Sequence, residues 1–98
     1  MPMAYIDPRM VTSPKGRVDR LDVIYDGGEG DYAVAAMLWD GEPATGVRWN
    51  GGDKGEKFQG LGNPQSRGIP TWFILPDPIA ELVRANPAAL VPNDPAAR

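Results

Sequence analysis

Glycine-containing breaks divide residues 18–50 into short segments, and this division constrains the fold more than any other feature of the chain. In the first segment Leu21, Val23 and Tyr25 recur at every second position, which is the period of a β-strand with one buried face. The break at 26–31 contains three glycines, and glycine accepts the positive φ angles that hairpin turns require. The pattern predicts an antiparallel hairpin at this point.

A second break at 40–44 separates the strand-like segment 32–39 from a return segment at 45–50. Two consecutive hairpins make a three-stranded meander. Glycine and proline, 12 and 11 residues of the 98, recur between apolar blocks along the chain. That distribution is typical of short strands joined by tight turns.

The pairing of the strands decides which side chains share a face of the sheet. We expect the first turn to pair Tyr25 with Tyr32 and the second to pair Trp39 with Thr45. One face then carries Leu21, Val23, Tyr25, Tyr32, Val34, Ala36, Leu38, Gly46, Arg48 and Asn50. The other carries Ala33, Ala35, Met37, Trp39, Val47 and Trp49. Both faces are largely apolar, so one side must be covered by another part of the chain or by a partner.

Two later segments are candidates for that cover. Residues 69–75 are apolar, β-branched and aromatic, which predicts a strand buried on both faces. Asp77 followed by Pro78 is a helix start, and the helix is expected to pack on the sheet through Ile79, Leu82 and Val83 and to end at 86–87.

The expected fold is therefore a small α+β domain with a mainly antiparallel sheet of about four strands, a meander plus a further strand, and one C-terminal helix packed on it. A chain of 98 residues corresponds to a single domain. Within it we expect an N-terminal arm at 1–17 with one short strand near Met3 to Ile6, a long glycine-rich loop at 51–68 and a mobile tail at 92–98.

Composition narrows the classes of function. The net charge of −3 and the pI of about 4.7 disfavour binding to nucleic acid or to an anionic membrane. No apolar run approaches the roughly 20 residues of a membrane span, and the N-terminus lacks a signal-peptide pattern, so we expect a cytoplasmic protein.

The residue types that most often carry catalysis are missing. With no Cys and no His, the chain lacks thiol nucleophiles, zinc-thiolate sites and the usual nucleophile–base pairs. The acidic turn holds Asp26, Glu29 and Asp31 but not a 12-residue calcium loop. We expect neither a cofactor nor a metal site, and an enzyme would have to use carboxylate or Arg chemistry.

The loop at 51–68 is the first candidate site, because loops this long in a compact domain are usually functional or disordered. Its basic and polar residues, with those just before it, predict a site for a small anionic or planar ligand: Arg48, Trp49, Asn50, Lys54, Lys57, Gln65, Ser66 and Arg67. The alternative is a solvated loop, with Trp49 in the core and Arg48 paired to an acid.

The second candidate is the aromatic sheet face. Trp39 and Trp49 are expected on the same face, beside Met37, as an interface to a second copy or to another protein. The leading expectation is a non-enzymatic binding protein that associates through this face. Binding of a small ligand under the loop is the main alternative to it.

Overall fold

The computed structural model describes residues 6–52 and 59–93. Its regular elements are β1 (Val18–Asp26), β2 (Tyr32–Trp39), β3 (Glu42–Trp49), β4 (Gln65–Ser66), β5 (Ile69–Pro70), β6 (Phe73–Ile74) and α1 (Asp77–Ala85). Strands β1, β2, β3 and β6 form one antiparallel sheet in that order, and β4 pairs with β5 in a separate hairpin. The expected α+β class, with a meander, a fourth strand and one helix near the C-terminus, is confirmed.

The turn between β2 and β3 is shorter than expected. Asp40 and Gly41 alone form it, with φ angles of 54° and 85°, so that Trp39 pairs with Glu42. The expected pairing of Trp39 with Thr45 is wrong by three residues. Because this shift is odd, every side chain of β3 lies on the face opposite to the expected one.

Strand β1 also departs from the expected register. Val23 pairs with Ala35 while Tyr25 pairs with Val34, since an irregularity lies between them. Such a bulge moves the two side chains to different faces. The expectation that Leu21, Val23 and Tyr25 share a face is therefore wrong: Leu21 and Val23 pack against the core.

One side of the sheet, which we call the core face, carries Ala33, Ala35, Met37, Gly46 and Arg48. Val11 and Trp72 pack against it and are 1% and 4% exposed. The Trp72 indole Nε1–H donates to the carbonyl of Val11 at 2.8 Å. The N-terminal segment thus contributes to the core rather than forming a detached arm, and of the short strand expected near Met3 to Ile6 only Ile6 lies within the described residues.

The opposite side, the groove face, carries Tyr32, Val34, Thr45, Val47 and Trp49. Helix α1 packs on β3, and Arg84 donates from Nη1 to the Thr45 hydroxyl at 3.0 Å. The helix is amphipathic, as expected, but its buried residue is Ala80.

The expected apolar contact stripe of the helix is wrong in two of its three residues. Ile79 and Leu82 are 48% and 66% exposed, and Val83 is half-buried. Part of the apolar side of α1 therefore faces away from the sheet. No helix within the described residues is long and apolar enough to cross a membrane.

Residues 69–75 do not form one strand buried on both faces. They divide into β5, which pairs with β4, and β6, which pairs with β3. The amide of Thr71 donates to the carbonyl of Pro64 at 3.0 Å, which is the next position in the β4–β5 register, so the hairpin extends to Thr71 before the chain joins β3 at Phe73. Phe73 is consequently 59% exposed on an edge strand.

Candidate binding groove

A row of aromatic side chains crosses three strands on the groove face. The ring centroids of Tyr25 and Tyr32 are 4.9 Å apart, and those of Tyr32 and Trp49 are 6.3 Å apart at an interplanar angle of 79°. These are favourable cross-strand and edge-to-face distances. The register of β2 and β3 creates this row by pairing Tyr32 with Trp49.

Two members of this row, Tyr32 and Trp49, form one wall of an open groove of about 570 Å³. Its lining residues come from the sheet, the 63–64 segment and the C-terminal segment: Tyr32, Val47, Arg48, Trp49, Asn63, Pro64, Phe73 and Asn93. Trp49 and Phe73 are 47% and 59% exposed within it. The volume is in the range of natural binding pockets, which are mainly apolar with a few polar groups.

The second wall is held on β3 by close backbone contact. The amide of Trp49 donates to the carbonyl of Asn63 at 2.7 Å, and the amide of Asn63 donates to the carbonyl of Trp49 at 3.1 Å. Gly62, at a φ of +70°, precedes them, and a Cβ there would overlap the Trp49 carbonyl. Glycine at this position allows Asn63 and Pro64 to stand beside Trp49.

Arg48 is buried rather than presented to a ligand. The side chain is on the core face and the residue is 2% exposed. The guanidinium donates from Nη1 to the carbonyl of Thr71 at 2.6 Å and from Nη2 to the carbonyl of Leu61. Both terminal nitrogens therefore fasten the 61–71 segment to β3.

The charge of Arg48 has no carboxylate partner among the described residues. Burial lowers the pKa of Arg48 to about 10, which is still far enough above neutral pH to keep the guanidinium charged. The sequence allowed two interpretations of Arg48, contact with a ligand and pairing with an acidic side chain. Its bonds to two backbone carbonyls correspond to neither. A buried guanidinium bonded to backbone carbonyls acts as an internal cross-link.

Asn50 is likewise structural. It is fully buried, and its Nδ2 donates to Asp26 Oδ1 at 3.0 Å and to the carbonyl of Gly28 at 2.9 Å. These bonds fix the β1–β2 turn against the end of β3. Within the described residues, Arg48 Nε and Asn50 Oδ1 are buried side-chain atoms without a hydrogen-bond partner.

The other described residues of the expected ligand site do not line the groove. Gln65 donates from Nε2 to the carbonyl of Gly62 at 2.6 Å, Ser66 is exposed on β4, and Arg67 lies exposed in the β4–β5 turn with a φ of 54°. Lys54 and Lys57 lie outside the described residues. Of the expected residues that the structure describes, Arg48 and Trp49 are the two that line the groove.

The expected interface residues are separated by the sheet. Trp39 and Met37 lie on the core face, where Met37 is 3% exposed and Trp39 packs against the core cluster, whereas Trp49 lies on the groove face. The prediction that Trp39 and Trp49 share a face is wrong because of the short β2–β3 turn. Met37 offers no exposed surface to a partner, and Trp49 does.

Sequence reasoning missed most of the groove: Tyr32, Val47, Asn63, Pro64, Phe73 and Asn93. The signal that would have recovered part of it is Asp40-Gly41, a dipeptide favoured in two-residue hairpin turns. That turn fixes Val47 and Trp49 on the same face as Tyr32. The positions of Asn63, Pro64 and Asn93 depend on long-range contacts that have no local signal.

The described residues that line the groove present no accessible charge. Arg48 is the one charged residue among them, but it is 2% exposed and both of its terminal nitrogens are already bonded. The indole N–H of exposed Trp49 and the side-chain amides of exposed Asn63 and Asn93 donate to no group among the described residues. The groove therefore offers aromatic surface and neutral donors.

The acidic turn beside the groove is occupied with internal bonds. Asp31 accepts from the amides of Tyr32 at 2.8 Å and Asn93 at 3.1 Å, and it anchors the C-terminal segment there. No cluster of three potential metal ligands occurs within residues 6–52 and 59–93.

We compared the chain with protein-family models, with curated proteins and with solved structures, and none of the three comparisons gave a significant match.

Proposed function

We propose that this protein is a binding module that takes an extended, uncharged polypeptide segment in the groove beside Trp49. The observation that carries the proposal is the joint exposure of Trp49 and Phe73 in one concave apolar surface. Large aromatic side chains in a pocket are the usual anchors of protein interfaces. Their exposure without a partner is unfavourable unless something binds there.

The neutral lining supports a polypeptide occupant over an anion. Arg48, the cation among the described lining residues, is engaged with two carbonyls and cannot take a carboxylate or phosphate bidentately. Neutral donors at the rim, from Trp49, Asn63 and Asn93, match the backbone carbonyls that an extended chain presents along its length. Association of two copies through the same face is a variant of this proposal.

A small planar ligand is the second candidate, and the cavity volume of about 570 Å³ favours it specifically. The aromatic walls would hold such a ligand by stacking. The two candidate ligands differ in how much of the groove each would contact. A planar molecule needs the Trp49 end alone, whereas a polypeptide needs the surface between Trp49 and Phe73.

The test is selection of peptides from a random display library on the folded chain, followed by affinity measurement with the synthesised peptides. We expect Trp49→Ala and Phe73→Ala each to weaken binding by about tenfold or more, which is about 1.4 kcal/mol. Ile69→Ala is the matched control, because Ile69 is 52% exposed but does not line the groove.

Two results would decide against the polypeptide proposal. One is a selection that enriches no peptide, together with a small-molecule screen whose aromatic hits depend on Trp49 and not on Phe73. The other is a set of peptides whose affinity is unchanged by both groove substitutions. The first result would favour the planar ligand, and the second would place the binding site outside this groove.

A further inference from the structure

The chain's own C-terminal segment meets the groove in a specific way. The Tyr32 hydroxyl donates to the carbonyl of Val91 at 2.7 Å, and Val91 directly precedes Pro92. Leu90, just before, has φ −80° and ψ 106°, an extended conformation. The amide of Asn93 is then held by Asp31. An extended segment containing proline is therefore already fastened at the Tyr32 end.

The rest of the groove, as the described residues form it, repeats the same chemistry. Beyond Tyr32 it continues with Trp49, Pro64 and Phe73, which are apolar rings that flank an open surface. The Tyr32 hydroxyl donates to Val91, and the indole N–H of the 47% exposed Trp49 is a similar donor on an aromatic ring, without a partner among the described residues. Buried aromatic donors usually find an acceptor when they are covered.

Polyproline II segments satisfy these requirements together. They have no internal hydrogen bonds, so their carbonyls are free to accept, and their rings pack against aromatic-lined grooves. They lose little conformational entropy on binding because the extended form is preformed. They also carry no charge, which suits a groove in which Arg48, the charged residue of the described lining, is already engaged.

We infer that the partner of this groove is a proline-rich segment in the polyproline II conformation, lying between Trp49 and Phe73 with one of its carbonyls bonded to the Trp49 indole. The inference rests on the proposed function and names its partner. It assigns Trp49 two separable roles, a ring that packs on proline and an N–H that donates to the peptide backbone.

The experiment is titration of the full chain with a blocked decaproline peptide and with a glycine–serine peptide of equal length. We expect decaproline to bind at least about tenfold more tightly. Trp49→Ala and Phe73→Ala should each reduce its association constant by about tenfold or more, whereas Ile69→Ala should leave it unchanged. Trp49→Phe keeps a ring and removes the N–H, so it should lower the association constant about fivefold.

The outcomes separate this inference from the proposal beneath it. If decaproline binds no better than the glycine–serine peptide while display-selected peptides without proline depend on Trp49, the inference is overturned and the proposed function stands. If sedimentation shows a dimer that Trp49→Ala dissociates and that decaproline does not displace, the occupant is a second copy. If no peptide depends on Trp49 or Phe73 and the chain remains a monomer, both fail.

The stability of the Trp49 variants must be compared with that of the parent, because a misfolded variant would also lose binding. Thermal unfolding of Trp49→Phe and Trp49→Ala should occur within a few degrees of the parent, because Trp49 is half exposed and its backbone, not its ring, bonds to Asn63. A loss of decaproline binding by Trp49→Phe at parental stability supports the indole bond. Unchanged decaproline binding by Trp49→Phe overturns that part of the inference.

Discussion

At the scale of single residues, the side chains that most resemble ligand-binding groups form hydrogen bonds within the protein that hold its segments together. Arg48 joins β3 to Thr71 and Leu61, and Asn50 joins the end of β3 to the β1–β2 turn. The sequence identified this stretch as unusual, but a buried arginine and a ligand-binding arginine look alike without the register. Trp49, between them, lies on the opposite face and remains available.

Removing the guanidinium should destabilise the fold. In Arg48→Ala the carbonyls of Thr71 and Leu61 lose their donor, and a cavity replaces the side chain, so we expect a loss of about 3 kcal/mol in the free energy of unfolding. Urea denaturation measures it. Arg17→Ala is the control, because Arg17 is exposed and its ion pair with Asp40 is worth less than about 1 kcal/mol. Equal effects from the two substitutions would refute the fastening role.

Gly62 should be far less tolerant of a side chain than Gly68, although both have positive φ angles, of 70° and 81°. Gly68→Ala meets nothing within 4 Å and should cost only the backbone strain of about 1 kcal/mol. Gly62→Ala places its methyl group against the Trp49 carbonyl and 2.8 Å from Arg48 Nη2, so we expect at least about 2 kcal/mol more. Thermal unfolding of the pair checks this. A Gly62→Ala variant as stable as Gly68→Ala would contradict the packing described.

At the scale of elements, the sequence predicts which strands and helices form better than it predicts which of their side chains face the core. The alternation of Leu21, Val23 and Tyr25 and the helix start at 77–78 identify a strand and a helix correctly. Neither pattern reveals the bulge in β1 or the side of α1 that meets the sheet. A two-residue rather than a five-residue turn after Trp39 is enough to exchange the faces of β3.

The packing of the N-terminal segment against the core is not evident from its composition. Its prolines and lack of period predict a loose arm, but Val11 is 1% exposed in the core while its neighbour Met10 is 70% exposed. We expect Val11→Ala to lower the free energy of unfolding by about 2 kcal/mol and Met10→Ala by less than about 0.5 kcal/mol. Denaturant midpoints measure both. If the two adjacent substitutions have equal effects, the segment does not pack as described.

At the scale of the whole molecule, the expectation of a sheet with two apolar faces is useful even though its face assignments are wrong. The N-terminal segment and Trp72 cover the core face, and α1 covers part of the groove face. The uncovered remainder is the groove. Its far wall could not be predicted because Asn63 and Asn93 reach it through contacts that are distant in sequence.

The groove presents Trp49 on β3 beside Phe73 on β6, both exposed, and binding through Trp49 is the central claim. The two indole groups of Trp49 and Trp72 separate a bound groove from a general change in the fold. Trp49 is exposed there, whereas Trp72 is buried and bonded to Val11. A partner in the groove should therefore affect the first and leave the second unchanged.

The most direct measurement follows the indole ¹H–¹⁵N resonances of Trp49 and Trp72, two of the three tryptophans, as the tightest display-selected peptide is added to the full chain. We predict that the Trp49 resonance shifts and that its hydrogen exchange slows, with the Trp72 resonance unmoved. A peptide that binds without moving the Trp49 resonance, or that moves both resonances equally, would contradict the account.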